Sequence, residues 1–252
     1  RDGAALKRGI KPPLGSVLIE ADSSQIEARI LAWWSGQDDV VEQFRNKEDV
    51  YKIMASKIYK KPVEEVTADE RHMGKQAVLG CGFNMGHSKF KESLLARGIS
   101  ISWEEAKLIV ETYRETNTKI VETWNQCQAL IINMVNQQKI IPIGKPGVVS
   151  PFVSGITLPN GVDIKYKNLR AGFDGYVYKG RKQGKILEDI NIYGGKMVEN
   201  IVQALARTII GHQLININKK YRVVNCVHDS IVAVVFGGNS EIEEAYGYFE
   251  SE

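Results

Sequence analysis

The sequence predicts an α+β fold in which one small antiparallel sheet is interrupted by a long helical insertion. Three features point there. Residues 16–21 form an apolar run, with Val17, Leu18 and Ile19 unalternated, as in a buried strand. Residues 23–137 carry helical apolar spacing over most of their length. Close to the other end, Arg222 to Cys226 and Ile231 to Phe236 read as two strands flanking His228-Asp229, an antiparallel hairpin with the aspartate at its tip.

The elements follow in order. Pro12-Pro13-Leu14-Gly15 is a turn ahead of the first strand. Ser23 or Ser24 can cap a helix that places Ile26, Ile30, Leu31 and Trp34 on one face and ends at Gly36. Residues 39–60 give a second helical stretch, stopped near Lys61-Pro62. Thr67-Ala68-Asp69-Glu70 has the capping-box pattern and opens a helix towards Gly80. Ser102 starts another, through Glu104 to Tyr113, and one more spans residues 118–137. After Gln138 prolines and glycines break the chain into short pieces. A hairpin is expected around Pro159-Asn160-Gly161, and residues 172–185, rich in glycine and lysine, are expected to be an exposed loop. Helical pattern resumes from Gly195 to Ile217, and Glu241 to Glu252 has the spacing of an amphipathic helix cut short.

Composition narrows the class. The chain has 252 residues, 43% hydrophobic and 25% charged, ordinary for a globular protein with a sizeable core. Its net charge of +3 is compatible with nucleic acid without demonstrating it. Cys81, Cys127 and Cys226 form no CxxC pair, which argues for reduced, buried thiols in a cytosolic protein against a disulfide framework or zinc site. No stretch is apolar enough to span a bilayer. Arg1-Asp2-Gly3 is neither a signal peptide nor an initiator methionine, so a fragment is expected.

Two aspartates, Asp22 and Asp229, each lie beside a strand-like run, and two carboxylates brought to one point are what a pair of magnesium ions needs for in-line phosphoryl chemistry. Taken singly, Asp22 is equally a helix N-cap and Asp229 an ordinary turn residue. Between them Arg71, Lys75, Leu79 and Phe83 recur at four-residue spacing on one helix face, cationic then apolar. A triphosphate can lie on the first half and a nucleobase on the second; a solvated surface face is the plainer alternative. His72, His87 and His212 have no ligand spacing, Trp33-Trp34 reads as core, and Lys179 to Lys185 as a solvated loop that can touch a nucleic-acid backbone.

Three segments carry a family resemblance. Asp22-Ser23-Ser24-Gln25-Ile26-Glu27-Ala28-Arg29 resembles motif A of the family A (DNA polymerase I-like) DNA polymerases, Arg71-x-x-x-Lys75-x-x-x-Leu79-Gly80-x-Gly82-Phe83 resembles their motif B, and Val227-His228-Asp229-Ser230 their motif C. Residues 113–124 and the run Glu199-Asn200-x-x-Gln203-Ala204-x-Ala206-Arg207 are similar to flanking segments of viral members. The resemblance implies a right-hand polymerase fold, incomplete here, with a palm from residues 1–46 and 188–252 and helical fingers from 47–187, the last part of which (140–187) is hairpin and loop.

It also implies roles. Asp22 and Asp229 would hold two Mg2+ ions with the backbone carbonyl of Ser23. Arg71 and Lys75 would bind the phosphates of a dNTP, Lys75 also serving as a proton donor. Leu79, Phe83 and Gln25 would line the nucleotide site, and Glu27 would be the steric gate against a ribose 2′-hydroxyl. Gln203, His228, Arg29 and Asn200 would contact the DNA primer-template. Replication of a phage-like element in a bacterial host cytoplasm follows, with no membrane partner and unidentified accessory proteins.

Ser23 stands where tyrosine is frequent, Leu79 where phenylalanine or tyrosine is usual, Phe83 for tyrosine, Asn84 for glycine and Ser230 for a motif C glutamate that is not an indispensable metal ligand. These departures keep alive a catalytically inactive polymerase-fold protein that binds nucleic acid, and the aspartate pair alone would also suit a two-metal nuclease. No segment resembles a thumb or an exonuclease, so weak DNA binding and poor primer extension are expected of the chain by itself.

Overall fold

The computed structural model describes residues 11–181 and 187–251. Strand β1 (Ser16–Asp22) leads into α1 (Ile26–Ser35), α2 (Asp38–Arg45), α3 (Val50–Tyr59), a single 3-10 turn (Val63–Glu65), α4 (Ala68–Cys81), α5 (His87–Leu95), α6 (Trp103–Thr116) and α7 (Thr118–Val135). Six short strands follow: β2 (Ser150–Phe152), β3 (Gly155–Thr157), β4 (Asp163–Lys165), β5 (Arg170–Gly172), β6 (Gly175–Arg181) and β7 (Leu187–Ile192). Helix α8 (Gly194–Lys220), the hairpin β8 (Arg222–Val227) and β9 (Ser230–Phe236), and α9 (Asn239–Ser251) complete the chain. The architecture is α+β with small antiparallel sheets. No helix among the described residues is long and apolar enough to cross a membrane.

The chain divides into two compact units, one formed by the residues up to Ile26 together with those from Leu205 onward, the other by Glu27–Ala204. The division expected from the sequence lay at 46/47 and 187/188.

In the first unit the sheet order is β1-β9-β8, with Ser16 opposite Phe236 and Asp22 opposite Ser230. Alternation sends Ile19, with Val17 beside it, into a core shared with Val235, Ala245, Tyr221, Ile242 and Phe249. Leu18, Glu20 and Asp22 therefore line the other face, where an open cleft also takes in Val232 and the hairpin tip. A bulge between Val223 and Asn225 shifts the β8 register.

In the second unit α1, α2, α3 and α4 meet around Phe44, Val50 and Tyr51, with Ala28, Val40 and Val78 against them. Gly74 lets α4 approach α3 closely: a Cβ there would lie 2.1 Å from the Tyr51 carbonyl oxygen. The capping box predicted at Thr67 is present, with Glu70 Oε2 accepting from the Thr67 amide at 2.8 Å. A second box, Ser102 with Glu105, opens α6. Tyr113 and Trp124 stack between α6 and α7 with ring planes 12° apart.

Several expectations need correction. Residues 39–60 are two helices, because Lys47 turns to a φ of 57° and Asp49 caps a fresh start by accepting from the amides of Tyr51 and Lys52. Helix α5 was not foreseen; its N-cap, Gly86, supplies no side-chain signal. The expected loop at 172–185 contains β6, paired with β5 and β7, while residues 182–186 lie outside the described residues. Instead of one sheet there are three among the described residues, the additional ones being β2-β3-β4 and β5-β6-β7. Cys81 and Cys127 are buried, as read, but Cys226 is only half-buried. Trp34 is fully buried, whereas Trp33 is 39% exposed under the Lys145 ammonium.

Candidate active site

The two aspartates come together through the pairing of edge strand β1 with central strand β9 in the first unit. Asp22 ends β1 directly opposite Ser230, and the Ser23 amide donates to the Asp229 carbonyl at 3.0 Å. Asp229 shares a two-residue hairpin turn with His228, which holds a φ of 56°. Gln25 also has a positive φ, 57°, in the short turn that carries the chain from β1 into α1. Ser23 Oγ lies 3.1 Å from Gln213 Oε1 of α8, which fixes that turn from below. Asp22, His228 and Asp229 line the open cleft.

Glu20, which sequence reading did not single out, lines the same cleft two residues before Asp22 and accepts from Ser230 Oγ at 2.9 Å. The two-residue period of β1 was the available signal.

The donors suit a hard divalent cation. Asp22 and Asp229 supply oxygen, and no ion pair among the described residues engages either carboxylate. Among the described residues no group of three or more His, Cys, Asp or Glu side chains could hold a metal ion. One or two carboxylates, with the remaining positions left to water and substrate phosphates, is the usual protein share of a magnesium site.

In the second unit α4 presents the expected face. Arg71 is half-buried, Lys75 and Leu79 are exposed, and Phe83 follows just past the helix end, while Met73, Gly74, Ala77 and Cys81 turn inward. Arg71 Nε donates to Asp49 Oδ2 at 2.5 Å. Both cations sit over the Tyr51 ring, Arg71 Cζ at 5.5 Å and Lys75 Nζ at 5.9 Å from its centroid. Partial burial alone would raise the Asp49 carboxyl; the Arg71 hydrogen bond and the α3 amides outweigh it and hold the pKa below its ordinary value.

The turn after α4 is tightly held. Trp124 Nε1 donates to the Gly82 carbonyl at 2.9 Å, and Arg114 Nη2 donates to Asn84 Oδ1 at 3.0 Å. Asn84 has a φ of 62°, the left-handed region that asparagine tolerates better than most residues with a Cβ. Burial pushes the neighbouring Cys81 thiol up to about 12, with Arg114 opposing.

The remaining candidates are in varied settings. Glu27 is half-buried on α1 and Arg29 stacks over Phe44 at 4.5 Å. Gln203 is exposed on α8, whereas Asn200 Nδ2 donates inward to Tyr166 Oη at 3.3 Å. Asp49, Tyr51 and Arg114 were not foreseen, since each works through a partner distant in sequence.

Comparison with known proteins places the chain in a family. Residues 1–139 match the model of DNA polymerase family A. The chain belongs to that family. It is 32% identical over 248 residues to the DNA polymerase of Bacillus phage SP02, covering 92% of this chain and 38% of that protein. It is 34% identical over 134 residues to DNA polymerase I of Borreliella burgdorferi, covering 53% of this chain and 13% of the relative. The fold matches the POL domain of Pol1 from M. smegmatis, solved in complex with DNA primer-template and dNTP, with a TM-score of 0.65 at 20% identity, over 95% of this chain and 37% of that one. The chain thus spans well under half the length of these relatives.

Proposed function

We propose that this chain carries the palm and fingers of a DNA-directed DNA polymerase that adds dNTPs to a primer 3′-hydroxyl, in the replication of a phage-like element. The observation that carries the reading is the pairing of Asp22 with the Asp229 turn across β1 and β9, in a chain whose motifs A, B and C occur in the family's order. Asp22, Asp229 and the Ser23 carbonyl would hold the metal. Two magnesium ions, if held there, would supply Lewis acidity for transfer to the primer 3′-hydroxyl and for the charge on pyrophosphate.

The chain's own residues do the rest. Arg71 and Lys75 bind the triphosphate, the arginine as a planar fork and the lysine as a point charge able to give a proton to the leaving pyrophosphate. Leu79 and Phe83 offer apolar surface to the nucleotide, and Glu27 excludes a 2′-hydroxyl. Gln25 supports the nucleotide site, while Gln203, His228, Arg29 and Asn200 serve the primer-template. In a host cell this places the protein in the bacterial cytoplasm.

The test is primer extension with magnesium by the full-length protein, comparing Asp22→Ala and Asp229→Ala. Each variant is expected to lose about a hundred- to a thousandfold in rate, the scale on which charge-stabilising groups act. Activity unaffected by either change would overturn the mechanism.

A further inference from the structure

The carboxylate of Asp49 divides its two oxygens between two tasks. Oδ1 accepts from the amides of Tyr51 and Lys52 at 3.2 and 3.1 Å, which fixes the carboxylate at the start of α3. Oδ2 accepts from Arg71 Nε at 2.5 Å. An acceptor pinned by a helix N-terminus cannot follow a moving partner, so the arginine follows the aspartate. Donation through Nε leaves the two Nη groups of the guanidinium to phosphate oxygens. The Tyr51 ring beneath Arg71 and Lys75 limits their motion from the other side. Gly74 sets the approach of α3 and α4 that makes these contacts possible.

We infer that Asp49 is a positioning residue for nucleotide binding: it preorients the Arg71 fork so that the incoming triphosphate meets an already ordered cation. The inference rests on the polymerase reading. Its cost is a negative charge near the phosphates; its gain is that the long Arg71 side chain need not be ordered when the nucleotide arrives.

Two substitutions separate positioning from helix capping. Asp49→Asn and Asp49→Ser each retain an oxygen able to cap α3, but neither offers Arg71 a carboxylate. In the full-length protein both are expected to melt close to wild type, whereas Asp49→Ala loses the cap as well and melts lower. Both capping variants are expected to raise the KM for dNTP about five- to tenfold, the scale of one charge-assisted hydrogen bond discounted for partial exposure, with kcat within about twofold. They are also expected to shrink the melting shift that dNTP induces, a readout independent of turnover. In an Arg71→Ala background, adding Asp49→Asn should change KM by less than about twofold, because the pair acts as one unit. Wild-type KM and wild-type nucleotide protection in Asp49→Asn, or an equal increment without Arg71, would overturn the inference while leaving the polymerase reading intact. A wild-type protein that neither binds dNTP nor extends primers would remove both.

Discussion

Gly74→Ala tests whether the close approach of α3 and α4 holds the cationic face together. A Cβ at this position would meet the Tyr51 carbonyl oxygen at 2.1 Å, the Ala55 amide nitrogen at 3.0 Å and the Ala55 Cβ at 3.1 Å. Two of those three atoms are backbone, so no side-chain rotation relieves the overlap and the helices must separate. Overpacking of this kind costs typically 1–3 kcal/mol, and a backbone obstacle puts it near about 3. Alanine returns about 1 kcal/mol in helix propensity, leaving a net loss of about 2 kcal/mol. For a chain this long that corresponds to a melting point lower by about 4–8 °C. The control has the opposite sign. Gly211, inside α8, has nothing within 4 Å of its would-be Cβ, so Gly211→Ala is expected to gain about 1 kcal/mol and melt about 2–4 °C higher. Calorimetry on the two variants decides the matter. A Gly74→Ala protein that melts at or above wild type would refute the packing argument, and an unchanged KM for dNTP would detach that packing from the site.

Two further outcomes are expected. Glu70, held at a pKa of about 2 by the Lys61 ammonium and by the Thr67 amide and hydroxyl, stabilises the fold fully above its ordinary pKa of 4.5 and loses that contribution as pH falls towards about 2. The melting temperature of Glu70→Gln should therefore fall less steeply than wild type across that window, and parallel profiles would contradict the assignment. At Asn84, alanine forfeits both the Arg114 contact and tolerance of a positive φ, whereas glycine forfeits only the contact, so urea denaturation should rank Asn84→Ala below Asn84→Gly by about 1 kcal/mol.

What was legible in the sequence was local. The helix start at Thr67 is written in four residues, and the strand pair around His228-Asp229 is marked by two apolar runs with a polar turn between them. The break between α2 and α3 was not legible, because it depends on Lys47 adopting a left-handed backbone and on the capping oxygen of Asp49. Strand β6 was hidden for another reason. Tyr176, Val177 and Tyr178 run on without alternation beside glycines and lysines, and the strand is defined by its ladders to β5 and β7. In the site, motif order suggested that Asp22 and Asp229 belong together, but the strand register that joins them spans some two hundred residues. The Asp49–Arg71 contact has no local signature at all.

Of the departures from the family's common pattern, the structure gives three a physical account. Ser23 lacks a tyrosine ring, yet its amide still bonds the Asp229 carbonyl, an interaction that any residue other than proline could make. Asn84 replaces a glycine at a positive φ and fills the position with one of the few side chains suited to it, adding a bond from Arg114. Ser230 lacks the motif C carboxylate, but its hydroxyl donates to Glu20, which lines the same cleft as Asp22 and Asp229. Leu79 stands apart: it is 44% exposed on the α4 face, and nothing in its surroundings explains the loss of an aromatic ring. On the proposed reading, Leu79 and Glu27 would face the nucleotide sugar, so a Leu79→Phe variant is expected to change the ratio of deoxynucleotide to ribonucleotide incorporation in primer extension, and an unchanged ratio would refute that placement.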